Sequence, residues 1–176
     1  MSTSARLNTT STTTSTTTMQ LEWCNLNQFP EITIKRLRTS KTIAIIDLRK
    51  NLLHDLLYNE AKNVCENMCG NLYFPSTLPE NNEVKDIFDD DDCNVGPTTC
   101  FRGSWIRLGY NETEKRWEDP DQRENLIFVN FHPVEKILDR TDPIKDYHAI
   151  MDSDGKWWSK SESCHYLSSH LACELT

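Results

Sequence analysis

The chain has 176 residues, 26% of them charged and 37% hydrophobic, with a net charge of −8. That is enough for one domain with its own core, and too acidic for a nucleic-acid binder, which must displace counterions with clustered Lys and Arg. No stretch approaches the roughly 18–20 consecutive apolar residues of a membrane span; the longest candidate, "TIAIIDL" at residues 42–48, is far shorter.

From Thr9 to Thr18 every residue is Ser or Thr, a run that cannot bury enough apolar surface to offset the entropy of ordering it, so residues 1–19 read as a disordered linker. Its lack of proline sets it apart from a mucin stalk. The first residues, "MSTSARLNTT", carry no apolar secretory core; the chain is then a segment of a longer ectodomain, or its export begins upstream of Met1, or it is not exported at all. Next, "EITIKRL" and "TIAIID" are β-branched runs that predict strands, with Lys35, Arg36, Arg38 and Lys41 on an exposed side.

The period then changes. From Leu52 to Met68 the residues Leu53, Leu56, Leu57, Ala61, Val64, Cys65 and Met68 recur at three and four, the stripe of an amphipathic helix, with Gly70 placed to cap its C-terminus. Ser76 or Thr77 as N-cap, Pro79 and Glu80 in the first turn, and Val84, Ile87 and Phe88 on one face predict a second helix that ends in "DDDDC". That acidic run, Asp89 to Asp92, reads as a solvated face or a contact for a basic partner. Beyond Cys93 come short strand-like pieces between turn residues. Helices early and strands late make the chain α+β.

Seven cysteines are dispersed along it: Cys24, Cys65, Cys69, Cys93, Cys100, Cys164 and Cys173. In a reducing compartment such a set suggests metal binding, and in an oxidising one a disulfide framework with an odd thiol. The glycosylation sequons at Asn8 and Asn111 favour the oxidising reading. The stretch "DGKWWSKSESCHYLSSHLACEL", Asp154 to Leu175, packs tryptophans, histidines and cysteines together and admits three readings: a metal site, a thiol with its histidine, or a disulfide-stapled last strand.

Several pieces resemble one family. "AKNVCENMCGNLYFPSTLPENNEV" is similar to the first helix, connecting strand and second helix of a C-type lectin-like domain. "SWIRLGY" resembles that family's central strand, with Arg107 where Gly is usual. "FVNF" with "HPVE" resembles the start of its long-loop region, Phe131 replacing the usual Trp, and "HAIMDSDGKWW" and "HLACEL" resemble its last core strands. The pieces occur in the family's order and span residues 42–175, so the expected organisation is a linker at 1–19, an N-terminal extension at 20–41 and a C-type lectin-like domain at 42–176. The resemblance implies two helices, small antiparallel sheets, a long irregular loop from about Asn125 to Tyr147, and a recognition module rather than an enzyme.

It also implies that Cys65 pairs with Cys173. The family's second bridge loses its strand cysteine here, where His148 stands, so Cys164 is expected with Cys69, one helical turn after Cys65. Cys93 and Cys100 enclose "NVGPTT", a loop of turn residues, and are expected to pair with each other. Cys24 is then the odd thiol, free or bonded to another chain. Cys164, His165, His170 and Cys173 with Cys65 and Cys69 could supply zinc ligands, and a catalytic dyad would have only His148 near Cys164; the family's Cys65–Cys173 bridge disfavours the first, and an oxidised cysteine cannot serve the second.

In sugar-binding members, Ca²⁺ is held by oxygens from a Glu-Pro-Asn or Gln-Pro-Asp triplet and a Trp-Asn-Asp triplet. Here the first position reads His132-Pro133-Val134 and the second Trp157-Trp158-Ser159. Both lack their oxygen ligands, so no cofactor is expected, with a Ca²⁺ held differently by Glu135, Asp139, Asp142 and Asp146 as the alternative. Asp119-Pro120-Asp121 falls earlier and reads as a solvated turn. Trp105 and Trp157 are expected in the core, as are Phe131 and Trp117, leaving Trp158 and Tyr110 as candidate ligand-binding aromatics beside Glu135, Asp139 and Asp142.

The expectation is an extracellular, disulfide-bonded glycoprotein module that binds a protein or glycan without the usual calcium-dependent sugar site. A calcium-dependent carbohydrate-binding lectin with a non-standard site, and a structural or adhesive segment crosslinked through Cys24, are the two alternatives.

Overall fold

A computed structural model describes residues 29, 32–48, 56–89, 103–121, 126–133, 146–161 and 169–176. The predicted linker and Cys24, Cys93, Cys100, Cys164, Glu135, Asp139 and Asp142 lie outside the described residues, as does the Asp90 to Asp92 run.

The two β-branched runs form β1 (Ile32–Arg36) and β2 (Thr42–Asp47), an antiparallel pair, so the segment set apart as an extension supplies an edge strand. Next come α1 (Tyr58–Asn67), β3 (Gly70–Leu72) and α2 (Leu78–Asp89). After them run β4 (Gly103–Asn111), β5 (Arg116–Glu118), β6 (Tyr147–Asp152), β7 (Trp157–Ser161) and β8 (His170–Leu175). They make two four-stranded sheets, in the orders β1-β2-β8-β3 and β5-β4-β6-β7. Among the described residues the result is the α+β arrangement expected: two helices with two small antiparallel sheets.

Strands covered on both sides read as unbroken apolar runs, because successive side chains point to opposite faces. In β2, Ala44 and Ile46 enter a cluster with Tyr58, Ala61 and Cys65 of α1 and with Met68 just after it, while Ile43 and Ile45 enter a second one with Val84 and Phe88 of α2. In β8, Leu171 and Cys173 take the first side and Ala172 the second. Each fully buried Ile, Leu or Phe contributes roughly 1.5–3 kcal/mol.

Cys65 and Cys173 are disulfide-bonded, their Cα atoms 5.3 Å apart, which fastens α1 to β8 across 108 residues of chain. A loop of that length is worth on the order of 4–5 kcal/mol in the chain-entropy model. With both sulfurs in one bond, neither is a zinc thiolate. Cys69 is also disulfide-bonded, and its partner lies outside the described residues.

Four expectations are corrected. The first helix starts at Tyr58, not Leu52: Leu57 has extended backbone (φ −65°, ψ 158°), and its N–H donates to Glu60 Oε2 at 2.9 Å, which closes the helix start. The α1 C-terminus is turned by Cys69 in the left-handed region (φ 58°), not by Gly70. Gly70 is needed for close approach, since an added Cβ would lie 2.5 Å from the Glu174 carbonyl oxygen. Lys41 is no solvated strand residue: it bridges Glu80, only 1% exposed, at 2.9 Å and Glu174 at 3.4 Å.

Asp119, finally, is not in a solvated turn. It is 4% exposed, and its Oδ2 accepts from Arg107 Nε at 2.9 Å. The residue that departs from the family's glycine thus brings its counter-charge with it. The second helix is capped as expected, with Glu80 N–H donating to Thr77 Oγ1 at 3.3 Å and Ser76 N–H to Glu80 Oε2 at 3.1 Å.

His148, at the family's cysteine position, stacks on Tyr58 with ring centroids 3.5 Å apart and planes 9° from parallel. Burial, then the charge of Lys62, pushes its pKa down to about 4.

Two predictions follow from these buried groups. Arg107→Met leaves the Asp119 carboxylate buried without its guanidinium and lowers the free energy of urea unfolding by roughly 3–5 kcal/mol, and Arg107→Met with Asp119→Leu recovers most of the loss. His148 is neutral in the fold but protonates in the unfolded chain below its ordinary value of 6.5. Its stabilisation is therefore complete above that value and is lost as the pH falls toward 4. Stability should rise by roughly 2–3 kcal/mol across that window, and His148→Phe, which keeps a stacking ring, should flatten this part of the denaturation-versus-pH curve.

Candidate functional site

His132-Pro133 and Trp157-Trp158-Ser159, the two stretches set against the resembled family's ligand triplets, meet at β7. The segment 126–133 runs back along this strand: Trp157 N–H donates to the Asn130 carbonyl at 3.0 Å, His132 N–H donates to the Trp157 carbonyl at 3.0 Å, and Phe131 bridges Trp157 in parallel sense. Consecutive β7 residues then take opposite roles. Trp157 is fully buried, packed edge-on by Phe128 at 5.3 Å and Phe131 at 5.6 Å. Trp158 points to the other face, half-buried, and His132 stacks on it at 4.3 Å with planes 18° apart.

A buried amide holds this junction. Asn81 of α2 accepts from the Trp157 indole N–H at 2.8 Å and donates to the Gly155 carbonyl at 2.9 Å. Asn130 donates to the same carbonyl at 2.6 Å, and Lys156 Nζ donates to Asn130 Oδ1 at 2.9 Å. Gly155 sits at φ 77°, and an added Cβ would lie 2.8 Å from Asn81 Nδ2, so this β6–β7 turn requires glycine twice over. Asp152 closes the turn by accepting from Ser153 N–H at 2.6 Å; burial raises its pKa, while the Ser153 hydrogen bonds and the nearby His132 oppose that shift.

Such a junction does not suit a hard cation. Ca²⁺ takes about six to eight oxygens, whereas the two triplets here present a stacked imidazole and indole and a buried Ser159. Among the described residues no three His, Cys, Asp or Glu side chains form a metal-holding group. What the junction offers is apolar surface. Along residues 126–130 the side chains alternate: Leu126 and Phe128 pack on the core, while Ile127 is 99% and Val129 56% exposed.

Of the sequence-predicted site residues, Trp158 is at this junction. Tyr110 is not: its ring packs on Trp117 at 5.5 Å, and Trp117 packs on Phe131 at 4.8 Å. Trp105 and Trp157 are core residues as expected, and Phe131 and Trp117 are half-buried against the second cluster. Tyr110, Asn111, Glu118, Asp146, Tyr147 and His148 line a separate cleft of about 300 Å³. Sequence reasoning missed Asn81, Asn130, Ile127 and Val129. Asn81 was legible as the one amide on the α2 stripe of Val84 and Phe88, and the pair as the out-facing half of "LIFVNF".

No family model and no curated protein matches the chain. Among solved structures it is similar to human lithostathine, with a TM-score of 0.59 at 17% identity over 81% of this chain and 96% of that one. It is also similar to the carbohydrate-recognition domain of the human scavenger receptor C-type lectin, with a TM-score of 0.56 at 19% identity over 80% of this chain and 94% of that one. The cow C-type carbohydrate-recognition domain of CD23, solved in the presence of a GlcNAc2Man3 oligosaccharide, gives a TM-score of 0.53 at 20% identity over 77% of this chain and 88% of that one. Likeness at this level of identity concerns architecture, and it agrees with the Cys65–Cys173 tie and with two helices beside two small antiparallel sheets: the chain has the C-type lectin-like fold.

Proposed function

We propose that the chain is an extracellular, non-enzymatic recognition module whose ligand is a protein, bound at the β7 junction without calcium. The observation that carries this reading is the His132–Trp158 stack at 4.3 Å, which puts two rings where oxygen ligands would hold a cation and a sugar. Two β-branched side chains, Ile127 at 99% and Val129 at 56% exposure, stand on the same segment. Exposed aliphatic groups on the segment that carries His132 suit the apolar anchor of a protein partner better than a hydroxyl-rich sugar, whose ring would need a bare aromatic face. The scaffold is fixed by a disulfide and two cores, so the ordering entropy lost on binding at this junction is small.

A glycan ligand is the second reading, supported by the oligosaccharide present in the CD23 domain structure. The two readings separate on one experiment: a screen of the secreted domain against arrays of extracellular proteins and of glycans, in calcium and in chelator. The expected result is a protein ligand whose binding survives chelation and weakens at least tenfold, about 1.4 kcal/mol, in Trp158→Ala and in the double variant Ile127→Ser, Val129→Ser. Added Ca²⁺ should leave the melting temperature unchanged. Glycan binding abolished by chelation, or a melting temperature raised by Ca²⁺, would instead make this a calcium-dependent lectin with a non-standard site.

A further inference from the structure

The sequon Asn111-Glu112-Thr113 lies at the end of β4, where the chain turns into β5, and Glu112, Thr113, Glu114 and Lys115 of that turn are all exposed. The side chain of Asn111 is engaged there. Its Oδ1 accepts from the Thr113 and Glu114 backbone N–H groups, both at 3.0 Å, which shapes the turn. Its Nδ2 donates to Glu118 Oε1 across the hairpin at 2.8 Å. Glu118 also pairs with Arg116 at 3.3 Å.

An amide nitrogen carries two hydrogens, and among the described residues Nδ2 uses one. Attachment of a sugar at Nδ2 replaces a single hydrogen and leaves the carbonyl oxygen as it was. The two hydrogen bonds that Oδ1 accepts therefore survive modification, the bond from Nδ2 to Glu118 survives if the hydrogen it uses is the one the trans amide keeps, and the new substituent leaves from the rim of the 300 Å³ cleft that Asn111 lines with Tyr110, Asp146 and Tyr147. We propose that Asn111 carries an N-linked glycan, seated beside this cleft, and that the β4–β5 hairpin is built around an asparagine that keeps its turn-shaping bonds when glycosylated.

The chemistry is a group transfer from a lipid-pyrophosphate-linked oligosaccharide. The Nδ2 nitrogen attacks the anomeric carbon, the bond from that carbon to the pyrophosphate oxygen breaks, the lipid pyrophosphate leaves, and the amide gives up one proton to a base of the transferring enzyme. No electron acceptor is needed. Because the folded hairpin ties Nδ2 to Glu118, transfer precedes closure of the hairpin. The glycan leaves from the cleft that Tyr110 shares, whereas the proposed ligand surface is at Trp158 and His132. This assignment is independent of which ligand binds there.

The test is to express the chain behind a secretion signal in a eukaryotic cell line and to map peptides from both the secreted and the luminal pools before and after peptide-N-glycosidase treatment. The expected result is conversion of Asn111 to aspartate by the enzyme. Thr113→Ala should abolish it with the melting temperature of the folded domain little changed, and Thr113→Ser should retain it. An unmodified Asn111 in both pools would overturn the proposal, as would a modified Asn111 whose removal by Thr113→Ala leaves the hairpin unfolded by hydrogen exchange while Thr113→Ser does not restore it.

Discussion

The fold depends on the bond between Cys65 and Cys173. Strand β8 lies between β2 and β3, so the last residues of the chain are hydrogen-bonded into the interior of the first sheet, and the disulfide locks them to α1. Every element from α2 to β7 is thereby contained in a closed covalent loop. A contribution on the order of 4–5 kcal/mol is a large fraction of the 5–15 kcal/mol that a domain typically retains.

From this tie the candidate site follows by packing. Trp157 is driven into the core between Phe128, Phe131 and Phe74, and its indole is fixed by Asn81, an amide buried on α2. The alternation of a strand then turns Trp158 the other way, onto His132. One tryptophan holds the strand in place and its neighbour is presented by it. The same economy holds at Arg107, a charge on a central strand that persists because Asp119 meets it at 2.9 Å.

Much of the scaffold was legible in the sequence. The unbroken apolar runs of β2 and β8 signal strands covered on both sides, and the 61–65–68 spacing shows the face α1 buries. The α1 start was misread because the apolar stripe continues upstream through Leu56, whose backbone carbonyl instead accepts from the Trp105 indole at 2.8 Å. Asp119 was misread because its residue type speaks for water, while its partner lies twelve positions away and across a hairpin. Residue pairs, unlike periods, leave little trace in one sequence. Trp158 could be picked out from its excess over what a strand core needs. His132 could not, since its meeting with Trp158 depends on how the chain between β5 and β7 returns to the sheet.

The most direct test of this account is a disulfide map of the non-reduced protein by mass spectrometry after proteolysis. Beside the second disulfide at Cys69, the account predicts a crosslink between Cys65 and Cys173. Recovery of either cysteine as a free thiol, or joined to a different partner in the folded protein, would contradict it.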